Sequence, residues 1–266
     1  MSGPDALARL ESRRGPAFAP DGGAYGTIVV VGGGCYGSYY VRQLARAREK
    51  AALRWTRLLV VDRDPSCRVA REHADVTVVV EDWTAFFDRW LGAAAAAPSP
   101  ARDAIVPSPL MPHLMFDWLL RRARERWPGR DVQRAPLPEP PATPWERAGD
   151  DGTHYASYAT WICPVNCVEP AICPHTRTAR DWTMPAALEA LTRASSGRGR
   201  PLAGPAIFHC THRAFGVGMF DVAEVIAADT LVQRAGTAGP AEVLVGTVSH
   251  CHGALALLAL GAPIPE

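Results

Sequence analysis

The feature that most constrains this chain is the stretch VVVGGGCYGSYYVRQL, residues 29–44, in which an apolar run stops at three consecutive glycines. The β-branched run predicts a strand, and the sequence from Cys35 onward predicts a helix. Gly32, Gly34 and Gly37 fit the pattern G-x-G-x-x-G in its required place, after a strand and before a helix. In that pattern the first glycine allows a tight turn, the second lets a pyrophosphate approach the backbone, and the third lets helix and strand pack closely.

The start of this helix is a predicted phosphate site. Its first backbone N–H groups have no partner within the helix, and the helix dipole adds partial positive charge, so an anion is favoured there. We therefore expect Gly32, Gly34, Cys35 and Gly37 to bind the phosphates of a nucleotide. Asp62 ends the second predicted strand, where a carboxylate can accept hydrogen bonds from a ribose diol, which favours NAD over NADP.

With these residues in place, the segment from Thr27 to about Arg130 resembles the Rossmann superfamily of NAD(P)- and FAD-binding domains. The resemblance implies an α/β fold in which NAD(P) lies across the glycine loop. FAD and S-adenosylmethionine remain alternative ligands, because they bind at a similar turn. A glycine-rich turn that binds no dinucleotide is the other interpretation.

Strands and helices alternate along the rest of the chain, which predicts a doubly wound, mainly parallel Rossmann-like sheet of the α/β class. We divide the 266 residues into a flexible N-terminal arm (1–24), a dinucleotide-binding half (25–134) and a second α/β half (135–266). The second half is expected to continue the same sheet and to carry a cysteine-rich insertion. The last apolar segment, Ala254–Leu260, predicts a helix.

Composition argues against several classes of protein. Lys and Arg number 28 against 27 Asp and Glu, so the net charge of +1 gives no reason to expect a nucleic-acid or membrane partner. No apolar run reaches transmembrane length and the N-terminus has no signal-peptide core, so we expect a cytoplasmic protein. Seven cysteines in that compartment favour metal or redox chemistry over disulfides. The tryptophan-rich helices can face either a core or a second subunit, so the sequence leaves open whether the protein is a homo-oligomer.

The second chemical centre is CPVNCVEPAICPHTRTARDW, residues 163–182, whose cysteines follow the spacing C-x3-C-x5-C. Proline directly follows two of these cysteines and keeps the loop out of regular structure. The Cys-Pro steps resemble the cluster-binding loops of bacterial ferredoxins in ligand chemistry, although the spacing departs from the ferredoxin run. The resemblance implies that Cys163, Cys167 and Cys173 ligate a metal centre.

Such a centre requires a fourth ligand. We expect Cys210, which ends a predicted strand, to be this ligand, with Cys251 as second choice. The carboxyl ends of parallel strands share one edge, so these thiols would converge beside the glycine loop unless the strand before Cys163 runs antiparallel. A triplet plus a distant ligand suits a 4Fe–4S cluster better than the paired ligands of structural zinc, although zinc and metal-free thiols remain alternatives.

These features together predict an oxidoreductase that combines NAD(P) with an iron–sulfur cluster and acts on a small molecule or a redox partner protein. His250 or His252, expected to be held neutral at the start of the last helix, would donate a proton. Two other functions remain open. One is a non-enzymatic sensor of NAD or redox state, and the other is a zinc-containing transferase that uses S-adenosylmethionine.

Overall fold

The N-terminal half forms a parallel sheet around strand β1 in the computed structural model, which describes residues 23–97, 101–164, 167–195 and 202–263. Most of the arm predicted for residues 1–24 lies outside these ranges. The elements in chain order are β1 (Ala24–Val31), α1 (Cys35–Glu49), β2 (Arg54–Asp62), α2 (Arg68–Glu72), β3 (Thr77–Val80), α3 (Trp83–Ala96) and β4 (Ala104–Val106). In space the strands follow the order β3-β2-β1-β4, and each neighbouring pair is parallel.

The rest of the chain builds a second sheet and extends the first. Its elements are α4 (Leu114–Arg126), β5 (Arg130–Ala135), β6 (Trp145–Ala148), β7 (His154–Ser157), α5 (Met184–Ala194), β8 (Leu202–His209), β9 (Thr211–Ala214), β10 (Val217–Asp221), α6 (Val222–Ala238), β11 (Ala241–Val248) and β12 (His252–Pro263). The second sheet has the order β6-β7-β12-β11-β8, and β5 also pairs with β12. Strands β9 and β10 join the first sheet, where β10 lies antiparallel to β4.

The α/β class is confirmed, but the expectation of one continuous, mainly parallel sheet is wrong. In the second sheet β8 and β11 are parallel, whereas β12 is antiparallel to β11, β5 and β7. The physical reason lies in the connections. Three residues join β11 to β12, which suffices for an antiparallel pair, while a parallel pair needs a crossover of about a dozen residues or more. Because β10 returns to the first sheet, a boundary at residue 135 does not separate the two sheets.

The two sheets face each other across a shared layer of helices. Helices α3, α4 and α6 bury their apolar residues between the sheets, α1 covers the outer face of the first sheet, and α5 covers the outer face of the second. Val29 and Val31 point to the middle layer, while Ile28 and Val30 point to α1, because successive strand residues face opposite sides. None of the described helices is both long and apolar enough to cross a membrane.

Strand β12 replaces the helix predicted for Ala254–Leu260, and that prediction is wrong. Successive residues of the strand face opposite sides of the sheet. Ala256 and Leu258 contact the middle layer, whereas Leu255 and Leu257 pack against α5. A strand that is buried on both faces has an unbroken apolar sequence, which periodicity cannot distinguish from a buried helix.

A buried carboxylate joins α4 and α6 within the middle layer. The side chain of Asp229 is 8% exposed, and its two oxygens accept hydrogen bonds from Arg126 Nη2 at 3.0 and 2.9 Å. We expect Asp229→Ala to lower the free energy of unfolding in urea by about 3 kcal/mol, because the guanidinium loses its carboxylate in a poorly solvated place. The control is Asp88→Ala, which breaks a more exposed pair with Arg121 and should cost less than about 1 kcal/mol. Equal losses in the two variants would contradict this explanation.

Candidate functional site

A cleft of about 570 Å³ opens where strands of both sheets end. One wall contains Tyr36 and Tyr40, which lie on α1 just after the glycine loop. The lining of the cleft also contains Cys163, Cys167, Cys210 and Cys251. The cleft therefore brings the helix that follows the glycine loop close to these cysteines, whereas the glycine loop and Asp62 line a second cavity.

The strands that precede these cysteines run in one direction. Strands β8 and β11 are parallel, and β12 is antiparallel to both β11 and β7, so β7 shares the direction of β11. Cys163 follows β7, Cys210 follows β8 and Cys251 follows β11. These three strands therefore end on the same side of the second sheet, and the prediction that their cysteines share the sheet of the glycine loop is wrong.

The glycine loop, residues 32–37, requires glycine at two positions of the motif and leaves open space at the third. Gly32 has a φ of +85°, which L side chains rarely adopt. A Cβ on Gly37 would lie 1.9 Å from the carbonyl oxygen of Gly32, so glycine alone lets α1 approach the end of β1 this closely. A Cβ on Gly34 would meet no described atom within 4 Å, so this part of the loop is open to a ligand.

Asp62, at the end of β2, is bound to the glycine loop. Its Oδ2 accepts a hydrogen bond from the Gly33 N–H at 2.6 Å, and its Oδ1 accepts one from the Asp64 N–H at 2.9 Å. Each carboxylate oxygen has a further lone pair with which to accept a ribose hydroxyl. Beside it lies a second cavity of about 580 Å³, whose walls include Cys35 and Arg68. Asp62 thus both orders the loop and faces space for a ligand.

Hydrogen-bond donors contact the sulfur atoms of two cysteines that line the cleft, Cys167 and Cys251. Cys167 Sγ accepts a hydrogen bond from the Glu169 N–H at 3.4 Å and a longer one from Arg180 Nη2 at 3.9 Å. Cys251 Sγ accepts a hydrogen bond from Trp182 Nε1 at 3.4 Å. Donors of this kind stabilise thiolates, and the thiolate is the form of cysteine that binds metal.

Cys173 is a buried thiol that is also prepared to ionise. Burial raises its pKa, but the backbone N–H groups of Thr176 and His175 and the hydroxyl of Thr176 outweigh burial, so the pKa falls below its usual value. The charge of Arg180 lowers it further. Arg180 therefore lies close to both Cys167 and Cys173.

Cys163 lies near the three other thiols. Burial raises its pKa most, and the negative charges that Cys167, Cys251 and, more weakly, Cys173 would carry raise it further. We call these four residues the four-thiol group. Cys163 lies within electrostatic range of the other three, and a negative charge on any of them makes its own ionisation harder.

Cys210, the expected fourth ligand, lies in a different environment. Burial, followed by the nearby carboxylates of Glu224 and Glu169, raises the pKa of its thiol far above the usual range. Burial also raises the pKa of the Cys251 thiol, but Trp182 and Arg180 act in the opposite direction there, and Cys163 and Cys167 lie nearby. Of the two candidates for a fourth ligand, Cys251, the second choice from the sequence, therefore has the surroundings better suited to a thiolate.

In the described part of the chain, no three His, Cys, Asp or Glu side chains converge on a position suited to a single ion. Tetrahedral zinc requires such convergence. A 4Fe–4S cluster binds each cysteine through a different iron, so its four ligands surround a larger group. Four thiolates are suitable ligands for zinc and for a 4Fe–4S cluster, so donor chemistry alone does not separate the two.

His252 presents a defined nitrogen to the cleft. Ser157 Oγ donates its hydrogen to the carbonyl of Ala159 at 2.7 Å, so in its 2.9 Å contact with His252 Nδ1 the histidine is the donor. Burial lowers the pKa of His252, so its neutral ring leaves Nε2 without a hydrogen. This nitrogen is able to accept a proton or to bind a metal.

The helix dipole that was expected to keep His250 and His252 neutral is not there, because β12 and not a helix begins at His252. Burial is the main cause that lowers the pKa of both rings. The backbone N–H of His250 donates to Glu169 Oε1 at 3.0 Å, which fixes the turn between β11 and β12. Of the two histidines, His252 is the one that lines the cleft.

Sequence reasoning missed Glu169, Trp182 and Tyr155. Glu169 is 6% exposed, and its carboxylate interacts electrostatically with His250 and His252. Its position between two cysteines was the available signal, and the tryptophan that closes the cysteine-rich segment was another. The role of Tyr155 had no local signal, because its partner His113 lies 42 positions earlier in the chain.

Comparison with known proteins adds a family but no activity. Residues 115–261 match the family model AF_1314_C, described as "Uncharacterized protein, C-terminal domain". The matched segment includes the four-thiol group and most of the second sheet, whereas the glycine loop lies before it. No curated protein and no solved structure matches the chain.

Proposed function

The chain belongs to the AF_1314_C family, and for this member we propose a redox protein that binds NAD(P) at the glycine loop and an iron–sulfur cluster at the four-thiol group. The observation that carries the proposal is the cleft that is lined both by α1, the helix that follows the glycine loop, and by three of the four thiols. The phosphate-binding residues line the second cavity, so a dinucleotide bound there would have to extend past the start of α1 to bring its nicotinamide into the cleft.

The first sheet supports the dinucleotide part of the proposal. Its order β3-β2-β1-β4, with all pairs parallel, is the order of one half of a Rossmann-like, doubly wound dinucleotide-binding fold. Gly32, Gly34 and Gly37 meet the three requirements of the motif, and Asp62 stands at the end of β2. The carboxylate of Asp62 favours NAD over NADP, because a 2′-phosphate would be repelled there.

The donors around the thiols support the cluster part of the proposal. When bound, a 4Fe–4S cluster supplies one-electron transfer. Cys163, Cys167, Cys173 and Cys251 would hold it, while Trp182 Nε1–H and the Glu169 N–H orient two of the sulfurs. Arg180 adds positive charge beside a centre that carries net negative charge. His252 Nε2 can accept or return a proton in the cleft.

Metal analysis of an anaerobic preparation tests the cluster. We expect iron and sulfide in equal amounts, broad visible absorbance and little zinc, and we expect Cys163→Ser to lose this iron while its far-UV circular dichroism stays unchanged. A colourless wild-type protein without iron, whose Cys163→Ser variant behaves identically, would overturn the cluster part.

Ligand binding tests the dinucleotide part and separates the two other functions. NADH should bind and S-adenosylmethionine should not, as measured by fluorescence and calorimetry. Zinc without iron, combined with binding of S-adenosylmethionine, would establish the transferase. Binding of NADH without turnover on any electron acceptor would favour the sensor.

A further inference from the structure

Tyr155 is one of the residues that line the cleft, and its hydroxyl is hydrogen-bonded to a histidine. Its hydroxyl lies 2.7 Å from His113 Nε2, and the two rings meet edge to face with their centroids 5.6 Å apart. Tyr155 comes from β7 and His113 directly precedes α4, so the contact joins the second sheet to the middle layer of helices. The proposed function does not use this pair.

The hydrogen bonds around His113 define where its hydrogen lies. Thr153 Oγ1 donates to Asp151 Oδ2 at 3.0 Å and accepts from Arg134 Nη1 at 2.8 Å. The single hydrogen of this hydroxyl is therefore used, so His113 Nδ1, 3.4 Å away, is the donor in that contact. On the neutral ring Nε2 is then bare, and Tyr155 donates its hydroxyl hydrogen to it.

Charged groups near the pair allow it to take up and release a proton. Burial lowers the pKa of His113 most, and Arg134 also lowers it, whereas the carboxylates of Asp151 and Asp117 act in the opposite direction. Asp151 Oδ2 lies 3.9 Å from His113 Nε2, so an imidazolium would have a carboxylate beside it. The side chain of Asp151 is 49% exposed, which connects the pair to bulk solvent.

The surroundings of the Tyr155 hydroxyl indicate what kind of molecule it would meet. Aromatic rings of Tyr36, Trp145 and Trp161 line the same cleft, together with four prolines. Tyr36 is 40% exposed and Trp145 is 45% exposed, although both are large and apolar. Half-exposed rings around a concave site favour a flat, apolar ligand with few polar groups.

We propose that Tyr155 and His113 are a proton-transfer pair that serves the interconversion of an aryl-substituted alcohol and its carbonyl compound in the cleft. This inference rests on the proposed binding of NAD(P). It assigns the proton to Tyr155, which lines the cleft, and makes His113 the positioning residue that receives the proton from it.

In the oxidative direction, Tyr155 Oη accepts the proton of the substrate hydroxyl and gives its own hydrogen to His113 Nε2. His113 thereby becomes an imidazolium beside Asp151. The carbon-bound hydrogen leaves as hydride with two electrons to the oxidised nicotinamide dinucleotide, and the C–O bond becomes C=O. His113 then returns its proton to solvent, and reduction of the carbonyl compound is the reverse.

A first measurement needs no cofactor. In protein labelled with ¹⁵N in its histidine rings, we expect His113 to show a protonated Nδ1 and a bare Nε2. Tyr155→Phe should shift the Nε2 resonance, because its donor is lost, and the matched variant Tyr39→Phe, at a tyrosine of α1 that does not line the cleft, should not. If the Nε2 resonance of His113 does not change in Tyr155→Phe, the proposed proton transfer between the two residues is contradicted, while the proposed function is unaffected.

A second measurement follows the reduction of benzaldehyde by NADH. Tyr155→Phe should slow turnover about 100-fold, remove the solvent deuterium isotope effect and leave the Kd for NADH unchanged, whereas Tyr39→Phe should retain the wild-type rate. A Tyr155→Phe rate within twofold of wild type, or a wild type that binds NADH without reducing benzaldehyde, overturns the inference. Failure of the wild type to bind NADH defeats the dinucleotide part of the proposed function, and the inference with it.

Discussion

Replacement of Gly37 by alanine is expected to lower the free energy of unfolding so far that the chain no longer folds stably. The new Cβ would lie 1.9 Å from the carbonyl oxygen of Gly32 and 2.9 Å from its carbonyl carbon, and these are backbone atoms that cannot rotate away. Either α1 must move off the end of β1 or the turn at Gly32 must open. Overpacking against side chains typically costs about 1–3 kcal/mol, and we expect a larger loss against backbone, measured by urea unfolding.

Gly34→Ala is the matched substitution with a different expected outcome. A Cβ there meets no described atom within 4 Å, and the φ of −76° suits alanine, so unfolding in urea should change by less than about 1 kcal/mol. The methyl group would, however, stand where a pyrophosphate approaches the backbone, and we expect the Kd for NADH to rise by roughly tenfold or more. Unchanged NADH binding in a folded Gly34→Ala variant would argue against a dinucleotide at this loop. A Gly37→Ala variant as stable as wild type would argue against the packing described here.

Cys251→Ser is expected to remove nearly all of the iron from an anaerobic preparation. Cys251 interacts with the thiols of Cys163 and Cys167 and receives a hydrogen bond from Trp182, so it belongs to the group that would hold a cluster. Serine preserves the size of the side chain and a partner for the indole N–H, so the fold should persist. Iron and sulfide per chain, measured with the visible absorbance, report the result.

Cys210→Ser is the control for this assignment. Cys210 also follows a strand at the same edge, but its closest charges are the carboxylates of Glu224 and Glu169. We expect this variant to keep its iron and its visible spectrum. Loss of iron in Cys210→Ser, with iron retained in Cys251→Ser, would reverse the assignment and restore the ligand that the sequence favoured.

Local sequence was enough to predict the strand, loop and helix around the glycines. Each requirement there is met by residues within a few positions of one another, as the close approach of Gly37 to Gly32 illustrates. The second sheet was beyond such reasoning. The sequence that forms β12 is apolar on both faces of the strand. Its pairing with β11 on one side and with β5 and β7 on the other depends on tertiary contacts that local sequence does not specify.

Residues distant in sequence also decide which of two chemically similar side chains has the surroundings that a site requires. Cys210 and Cys251 have equivalent positions at strand ends, and their difference comes from Glu224 in one case and from Trp182 in the other. His113 has no partner nearby in sequence, and no local pattern marks it as part of a site. Its hydrogen bond to Tyr155 crosses from the helical layer to the second sheet.

By itself, the sequence determined the α/β class, the conformation of the glycine loop and the presence of a cysteine-rich segment, because short-range sterics and residue chemistry suffice for each. The tertiary structure alone decided that the strands divide into two sheets, that Cys251 joins the thiols of 163, 167 and 173, and that Tyr155 meets His113. These outcomes depend on which strands pair and on which charged groups and rings are buried next to each other. Such long-range contacts produce no periodic pattern in the amino-acid sequence.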